Sequence, residues 1–375
     1  MSPKKQTIKK NSLTPTILIS GGAGFIGSHV SEHLLGNNAR VIVLDNYSTG
    51  KDIYINHLLN NPNFAFYNVD INHGIPQDIE SVDYVIHLAG LEEYLYSKEY
   101  INLDSLLTNS IGIKNLLDLA KISEAKFLLV STIDVYQGKM SQLDIQKYFG
   151  NTSLEENKYS LTEAKRFSEA LLWEYFKKHN LDSRVVRLPE VYGPRMNLDA
   201  SGSLGTYLKS VIEGRDLLVY GDGYSKEYYL YISDAVLGIS KALFGPDTKG
   251  NIYSLIPENP ISSLELAYLV RKMADGEINV QFKEGLPEIF SVYRNPDIYT
   301  LKNLDWKSRI DLKQGIAKTL EWFGYTANQN SFKPNKYVED RIKEKTKDTP
   351  KNIQNTPIPK KNSIDQLTNN TDRPD

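Results

Sequence analysis

The feature that most restricts the fold is a glycine-spaced turn near the start of the chain. In TILISGGAGFIGSHVSEHL, a β-branched run leads into Gly21, Gly24 and Gly27, and a helical pattern follows. The first glycine permits a tight turn, the second lets the backbone approach a pyrophosphate, and the third allows close packing of the helix. The helix N-terminus then offers N–H donors and a partial positive charge. This arrangement predicts a dinucleotide site.

An acidic residue ends the next predicted strand. Asp45 of RVIVLDNYSTG lies 18 residues after Gly27, where a carboxylate can accept hydrogen bonds from both ribose hydroxyls. A carboxylate would repel a 2′-phosphate, so NAD is predicted over NADP, although Lys51 lies nearby. The alternative is a structural glycine turn followed by a solvated aspartate.

Short β-branched runs alternate with helical stretches over the first half of the chain. The predicted buried strands are TILIS, RVIVL, FAFYNV, DYVIHLA, KFLLVST and SRVVRL, with amphipathic segments such as SHVSEHLLGN and SIGIKNLLDLAK between them. Strands separated by helices imply parallel crossovers. The predicted fold class is therefore α/β, a Rossmann doubly wound parallel sheet with a smaller mixed α/β substrate lobe.

The chain is expected to divide into four parts. Residues 14–189 are predicted to form the NAD-binding Rossmann domain. Residues 190–328, where loops lengthen and short strands mix with helices, are predicted to form mainly the substrate lobe, with some segments returning to the Rossmann sheet. Residues 1–13 and the Lys-, Asn-, Thr- and Pro-rich residues 329–375 are expected to be disordered.

Composition argues against several functions. The 375 residues include no cysteine, which excludes disulfides and thiolate chemistry and fits a reducing cytoplasm. The six histidines lack metal-ligand spacing, so no metal is expected. The net charge is −2, with basic residues concentrated at both ends, so the body is acidic and nucleic-acid binding is not expected. No apolar run approaches the ~20 residues of a transmembrane helix, and a cytoplasmic protein without a signal peptide or membrane contact is predicted.

Several motifs occur in a recognisable order: SGGAGFIGSHV, LDNYSTGK, NVDI, VDYVIHLAG, LLVSTIDVY, VYGPRM and ISDAV. From Thr14 to Phe323 the chain resembles the extended short-chain dehydrogenase/reductases of the NAD-dependent epimerase/dehydratase family. Within them it is most similar to nucleotide-sugar epimerases and UDP-glucuronate decarboxylases. The resemblance implies a homodimer formed through SIGIKNLLDLAK and EALLWEYFKKH, and it implies that Asn109 braces the strand that follows. It implies cofactor contacts at Gly21, Gly24, Phe25, Ile26, Gly27, Asp45, Asn46, Asp70, Ile71, Leu88, Ala89 and Lys165.

The resemblance also implies a chemistry, and one of its groups is missing. Members of the family oxidise a sugar hydroxyl with bound NAD, transform the ketose and usually reduce it again. A Tyr phenol moves the proton, its pKa lowered by a nearby Lys, with a Ser or Thr hydroxyl assisting. Thr132 matches the assisting hydroxyl and Lys165 of NKYSLTEAKRFSE matches the lysine. The position four residues before Lys165 holds Leu161, which cannot transfer a proton.

This helix can be aligned with the family pattern in two registers, and neither supplies both the catalytic tyrosine and the lysine four residues after it. With Lys165 as the lysine, the tyrosine position is Leu161, whereas matching YSLT to the family pattern puts Glu163 at the lysine position. The first register is preferred because the 22 residues from Lys165 to Arg187 suit the following strand. Tyr159 then faces elsewhere in a continuous helix. It remains a candidate catalytic residue if the helix begins after it and the chain bends inward.

Two further departures lie where relatives hold the nucleotide diphosphate. The usual Asn in RLPEVYGPR is Glu190, and the usual Arg in YGDGYSKEYYLYISD is Glu227, with Lys226 beside it. A carboxylate about 4 Å from a diphosphate oxygen costs roughly 4 kcal/mol at an effective dielectric constant near 20. A register slipped by one residue would put Lys226 in place of the Arg. Arg195 and Arg294 remain candidate substrate ligands.

Three functions are therefore open. The first is an NAD-dependent enzyme acting on a nucleotide sugar, of epimerase or decarboxylase type, although Asp134 is one carbon shorter than the Glu usual in decarboxylases. The second is a non-catalytic relative, a pseudoenzyme that binds NAD and engages another protein. The third is an enzyme whose substrate lacks a diphosphate and could be cationic, with Tyr159 or a water as acid/base. The first is expected, because registers read from one sequence slip easily at helix starts.

Overall fold

The computed structural model describes most of the chain between Thr14 and Tyr325. Both segments expected to be disordered lie outside the described residues. For residues 102 and 157–160 the backbone is described without the side chains. The described ranges are 14–90, 102–136, 157–199, 202–274, 277–284 and 304–325.

Short runs of buried apolar residues form the strands, as their β-branched composition favours. The strands of the described residues are β1 (Thr16–Ser20), β2 (Arg40–Asp45), β3 (Phe64–Asn68), β4 (Tyr84–His87), β5 (Lys126–Thr132), β6 (Ser183–Leu188), β7 (Glu190–Tyr192), β8 (Leu217–Tyr220), β9 (Lys226–Glu227), β10 (Tyr229–Tyr231), β11 (Ile252–Ser254), β12 (Ile261–Ser262) and β13 (Val280–Lys283).

Amphipathic segments form the helices, and several begin at recognisable caps. Ser262 and Glu265 form a capping box at the start of α7, and the Asp311 side chain caps α8. No helix in the described ranges is long and apolar enough to cross a membrane. The helices are α1 (Phe25–Gly36), α2 (Asn102–Leu107), α3 (Ile113–Ser123), α4 (Asn157–His179), α5 (Gly202–Ile212), α6 (Ile232–Phe244), α7 (Ser263–Met273) and α8 (Leu312–Trp322), with a π-helical turn at Thr108–Gly112 before α3.

Seven parallel strands form the central sheet, in the order β11-β6-β5-β4-β1-β2-β3. The middle of β1 is fully buried, as expected for parallel strands covered on both faces. The predicted α/β doubly wound fold is confirmed. The chain builds outward from β1 in one direction and then crosses to β4 on its other side. Ligands bind in the crevice that such a reversal opens at the carboxyl ends of the strands.

The remaining strands pair outside the central sheet. β10 pairs with β7, β9 with β12 and β8 with β13, each in a two-stranded sheet. β11 is different, because it comes from the later part of the chain and joins the central sheet beside β6. The carboxylate of Asp234, on α6, accepts hydrogen bonds from the amides of Arg309 and Ile310 and so anchors the segment before α8.

Candidate active site

A cavity of about 450 Å³ lies at the carboxyl ends of the central strands. Ends of strands β1, β2, β4, β5 and β6 all contribute to its wall, so it occupies the crevice beside the switch between β1 and β4. Every cofactor position implied by the resemblance lines it: Gly21, Gly24, Phe25, Ile26, Gly27, Asp45, Asn46, Asp70, Ile71, Leu88, Ala89 and Lys165.

The glycine turn leaves bare backbone at one end of this cavity. Gly21 has a φ of +76°, and a Cβ added there would lie 2.6 Å from the backbone nitrogen of Ala89. A Cβ added at Gly27 would lie 2.1 Å from the carbonyl oxygen of Gly21. The turn therefore requires glycine at both positions. It delivers the N-terminus of α1, with its unpaired N–H groups, to the cavity, which fits a diphosphate.

Asp45 is positioned at the end of β2 by two backbone amides. Its Oδ2 accepts a hydrogen bond from the amide of Ala23 (2.9 Å), and its Oδ1 accepts one from the amide of Tyr47 (2.8 Å). Burial raises the pKa of this carboxyl, while the two hydrogen bonds oppose the rise. Each carboxylate oxygen can accept a further hydrogen bond, so the residue fits the ribose of a dinucleotide.

Lys165 and Thr132 line the cavity from neighbouring elements. Lys165, on α4, is 8% exposed and its Nζ donates a hydrogen bond to the carbonyl oxygen of Val130 (3.2 Å). Burial lowers the pKa of Lys165 to about 8, against a smaller raising effect of Glu169. Thr132 ends β5, and its Oγ1 accepts a hydrogen bond from the amide of Asp134 (3.1 Å). The helix and the strand thus bring an amine and a hydroxyl to one part of the wall.

Asn109 holds the helix that carries Lys165. It lies in the π-helical turn and is fully buried. Its Nδ2 donates to the carbonyl oxygen of Ser105 (2.8 Å), and the hydroxyl of Ser168, on α4, donates to its carbonyl oxygen (2.7 Å). These hydrogen bonds run to α2 and α4, and the bracing of the following strand that the resemblance implies stays a prediction. Asn109 therefore fixes α4 one turn beyond Lys165.

A partly buried ion pair holds the next turn of α4. Arg187 on β6 donates two hydrogen bonds to the carboxylate of Glu169, at 3.0 and 2.5 Å. The guanidinium also lies over the ring of Tyr136, at 4.7 Å from its centroid. Because Glu169 is engaged by Arg187 on both oxygens, it compensates only part of the burial that disfavours the Lys165 ammonium.

The tyrosine position of the family is apolar in this cavity. Leu161 lines the wall one helical turn before Lys165, as the preferred register predicts. Tyr159 lies outside the residues whose side chains are described. Helix α4 begins at Asn157, two residues before Tyr159, so its start does not fall after Tyr159 as an inward bend would require.

Two glutamates line the cavity at positions where the resemblance implies diphosphate contacts. Glu190, on β7, and Glu227, on β9, both line it. Strand β9 pairs with β12 so that Ile261 lies opposite Glu227 and Ser262 opposite Lys226. The side chain of Lys226 is exposed and does not line the cavity. The slipped register that would substitute Lys226 for the family's Arg is therefore not the one the chain adopts.

Arg195 lines the cavity, but its charge is already paired. Its guanidinium donates to the carboxylate of Glu32 (2.5 Å) and to the hydroxyl of Ser28 (3.1 Å), both on α1. Arg195 also has a φ of +72°, so the loop is held in a left-handed conformation there. Sequence patterns do not indicate this pair, because 163 residues separate its members. Arg294 lies outside the described residues.

The described side chains define a dinucleotide-binding α/β protein with an adjoining ligand site, and comparison with known proteins identifies its class. The chain belongs to the NAD dependent epimerase/dehydratase family, whose model matches residues 17–255. The resemblance read from the motifs is thereby confirmed, as is NAD as the cofactor. The glycine turn, the helix N-terminus and Asp45 fit that cofactor.

The chain is similar to several proteins whose names refer to nucleotide sugars. UDP-glucuronic acid decarboxylase 5 of Arabidopsis thaliana is 34% identical over 309 residues, which cover 82% of this chain and 89% of that protein. UDP-glucose 4-epimerase of Thermotoga maritima, solved with UDP-glucose, matches with a TM-score of 0.67 and 25% identity over 82% of this chain and 98% of that one. UDP-glucuronic acid 4-epimerase of Bacillus cereus, solved with UDP-glucuronic acid and NAD, matches with a TM-score of 0.69 and 24% identity over the same shares, which shows the common fold.

Proposed function

We propose that this chain is an NAD-dependent nucleotide-sugar-modifying enzyme of the epimerase or decarboxylase type. The observation that carries the proposal is that one cavity joins the glycine turn to Thr132 and Lys165. Bound NAD would accept a hydride from the sugar and return it. The remaining chemistry, which is to orient the sugar and move a proton, falls to the side chains of this chain.

The cofactor contacts follow the order of the strands along the cavity. The amides at the start of α1 would hold the diphosphate, and Asp45 with Asn46 would hold the adenosine ribose. The adenine would lie against Asp70 and Ile71. The nicotinamide side would lie against Leu88 and Ala89, with Lys165 at its ribose. Thr132 and Lys165 would then stand at the reacting carbon.

Thr132 is proposed to hold the reacting hydroxyl of the sugar. Its hydroxyl is a donor and an acceptor with capacity beyond the one hydrogen bond it accepts from Asp134. It stands at the rigid end of β5, whose preceding residues are buried between β4 and β6. That support matters because small displacements of an orienting group cost large factors in rate.

The test is whether a sugar nucleotide reduces the bound cofactor. Purified protein loaded with NAD is mixed with UDP-glucuronic acid or UDP-glucose, and the absorbance band of reduced nicotinamide is recorded. We expect the band to appear with at least one of them and to be lost in Thr132→Val. Absence of cofactor reduction with both sugar nucleotides at every pH would refute the proposal.

A second candidate, a non-catalytic NAD-binding relative, is favoured by a specific observation. The cavity carries Leu161 where the family has its tyrosine, and Glu190 and Glu227 where relatives hold a diphosphate. These three positions remove a proton carrier and two diphosphate ligands from one site. The same experiment separates the candidates, because this one predicts NAD binding with no cofactor reduction at any pH.

We also propose that the protein is a homodimer through the α3 and α4 side of the sheet. Exposed apolar side chains support this, namely Ile111 (47% exposed), Phe167 (52%) and Trp173 (47%). Light scattering should give twice the chain mass, and Phe167→Glu should give the monomer. A monomeric wild-type protein would refute the assembly.

We further propose a cytoplasmic location, which the lack of cysteine among the 375 residues supports.

A further inference from the structure

We propose that Lys165 itself exchanges the proton of the reacting hydroxyl group in this cavity, in place of a tyrosine. The inference rests on the proposed function and concerns how its central step occurs. It begins from the described side chains of α4 that line the cavity, which are Leu161, Thr162 and Lys165. Leu161 carries no exchangeable proton and a threonine hydroxyl is a very weak base. Among these described side chains, Lys165 is therefore the titratable group.

The surroundings of Lys165 favour a neutral amine. The side chain is almost fully buried, and with the described residues its Nζ makes one hydrogen bond, to Val130. Two titratable groups lie near it, His87 on β4 and Glu169 on α4 itself. His87 at the end of β4 is kept neutral, because burial and the nearby Lys165 lower its pKa well below the ordinary value. Glu169 is held by Arg187 on both carboxylate oxygens.

The amine lies where a ligand in the cavity can reach it. A Cβ added at Gly90 would lie 3.3 Å from the Lys165 Nζ, so the amine abuts bare backbone just beyond β4. Leu88 and Ala89 of the same segment form the nicotinamide side of the proposed cofactor site. A buried lysine changes its protonation state readily, which suits it to general-base chemistry. Two of its hydrogen-bonding positions are left for a ligand.

The proton balance of the proposed step is simple. The O–H bond of the substrate hydroxyl breaks and an N–H bond forms on the neutral Lys165 amine, which becomes an ammonium. The hydride on the same carbon leaves with its electron pair to NAD⁺, the family's oxidant, and a carbonyl remains. Return of the hydride and of the Lys165 proton reverses the step. Thr132 hydrogen-bonds the substrate oxygen during both the oxidation and the reduction.

The ionisation of Lys165 can be measured without any turnover. Wild-type protein is acetylated competitively with trace acetic anhydride over a pH series, with and without NAD, and the label on Lys165 is quantified by peptide mass spectrometry. Lys177, exposed on the same helix, serves as the internal control. We expect the Lys165 label to rise with a midpoint near pH 8, the lowered pKa of this amine, and we expect NAD to suppress the labelling. A midpoint at the ordinary lysine value of 10.5, or labelling that NAD leaves unchanged, would overturn the inference.

The catalytic role is then tested by Lys165→Arg, which keeps a charge and a donor but exchanges no proton near neutral pH. We expect the rate of cofactor reduction to fall about 10²-fold or more, with NAD affinity changed by less than about tenfold. Lys177→Arg is the matched control and should keep the wild-type rate. An unchanged rate and pH profile in Lys165→Arg would refute the role of Lys165. Absence of wild-type reduction at every pH would instead refute the proposed function, while the labelling result would still report on Lys165 alone.

Discussion

Two glycines of the same helix should respond in opposite directions to the same substitution. Gly27 lies in the first turn of α1 and Gly36 ends that helix. A Cβ at Gly27 would meet the carbonyl oxygen of Gly21 at 2.1 Å and the Cα of Gly22 at 2.7 Å. A Cβ at Gly36 would meet nothing within 4 Å. The two variants therefore make the same Gly→Ala change in the same helix, and they differ only in the space available for the added methyl group.

The magnitudes follow from those distances. Alanine in place of glycine in a helix stabilises it by up to about 1 kcal/mol, and Gly36→Ala should show that gain. At Gly27 the atoms in contact belong to the backbone and cannot turn aside. Overpacking of this kind costs about 1–3 kcal/mol or more, which exceeds the helix gain. The helix gain is common to both variants, so they should differ in the free energy of unfolding by about the overpacking cost alone, 1–3 kcal/mol or more. Gly27→Ala should also bind NAD more weakly because α1 must shift.

Urea denaturation of both variants measures the difference directly. We expect the midpoint to rise slightly for Gly36→Ala and to fall for Gly27→Ala, with similar slopes for both. Calorimetry should show NAD affinity close to wild type for Gly36→Ala and reduced for Gly27→Ala. The packing argument for the turn would be wrong if Gly27→Ala matched the wild type in both midpoint and NAD affinity.

Four further outcomes are expected. Leu161→Tyr adds a phenol one helical turn from Lys165, so a sugar nucleotide should reduce the cofactor about tenfold faster or more. An unchanged rate would argue against residue 161 lying beside the reacting group. The double variant Glu190→Asn with Glu227→Arg should bind UDP-glucose at least about tenfold more tightly in calorimetry, because repulsion of roughly 4 kcal/mol per carboxylate is removed; unchanged affinity would mean that neither carboxylate faces the diphosphate. The wild type should bind NAD more tightly than NADP. Asp45→Asn removes the carboxylate that repels a 2′-phosphate, so it should bring the two dissociation constants closer together. Finally, Lys165→Met should raise the melting temperature of the NAD-free protein at pH 6, and the difference from wild type should shrink between pH 8 and 10.5.

The sign of the last effect follows from the lowered pKa. Below about pH 8 the folded protein holds a buried ammonium that the unfolded chain keeps in water, so Lys165 costs stability. Between pH 8 and 10.5 the unfolded state binds the extra proton, and stability rises with pH. Above 10.5 neither state is charged. A melting temperature for Lys165→Met that tracks the wild type at every pH would contradict the burial of this charge.

The parts of the molecule that sequence could predict are those governed by local pattern. Alternating β-branched and amphipathic runs predict parallel crossovers, and the central sheet has that form. The spacing of Gly21, Gly24 and Gly27 predicts a turn that each added Cβ would crowd. The position of Lys165 relative to Leu161 follows from one helical turn, and both side chains line the cavity.

The parts that sequence could not predict depend on distant partners. Arg195 is a predicted substrate ligand, and nothing near it in the chain indicates that Glu32 pairs with it. The resemblance implies that Asn109 braces the following strand, but it does not indicate the hydrogen bond from Ser168, which lies on a helix 59 residues further along the chain. Whether Lys226 or Glu227 faces the cavity depends on the pairing of a two-residue strand with β12. No periodicity can be read from two residues.

The central claim is that NAD binds along the glycine turn, and direct calorimetric titration tests it best. NAD is titrated into purified, NAD-free protein, and the titration is repeated with Gly24→Ala, whose added Cβ would lie 3.3 Å from the carbonyl oxygen of Gly21. We predict one NAD bound per chain and weaker binding in the variant, whether or not the protein turns over a sugar. No measurable binding to the folded wild type, or equal binding in the variant, would contradict the proposed site.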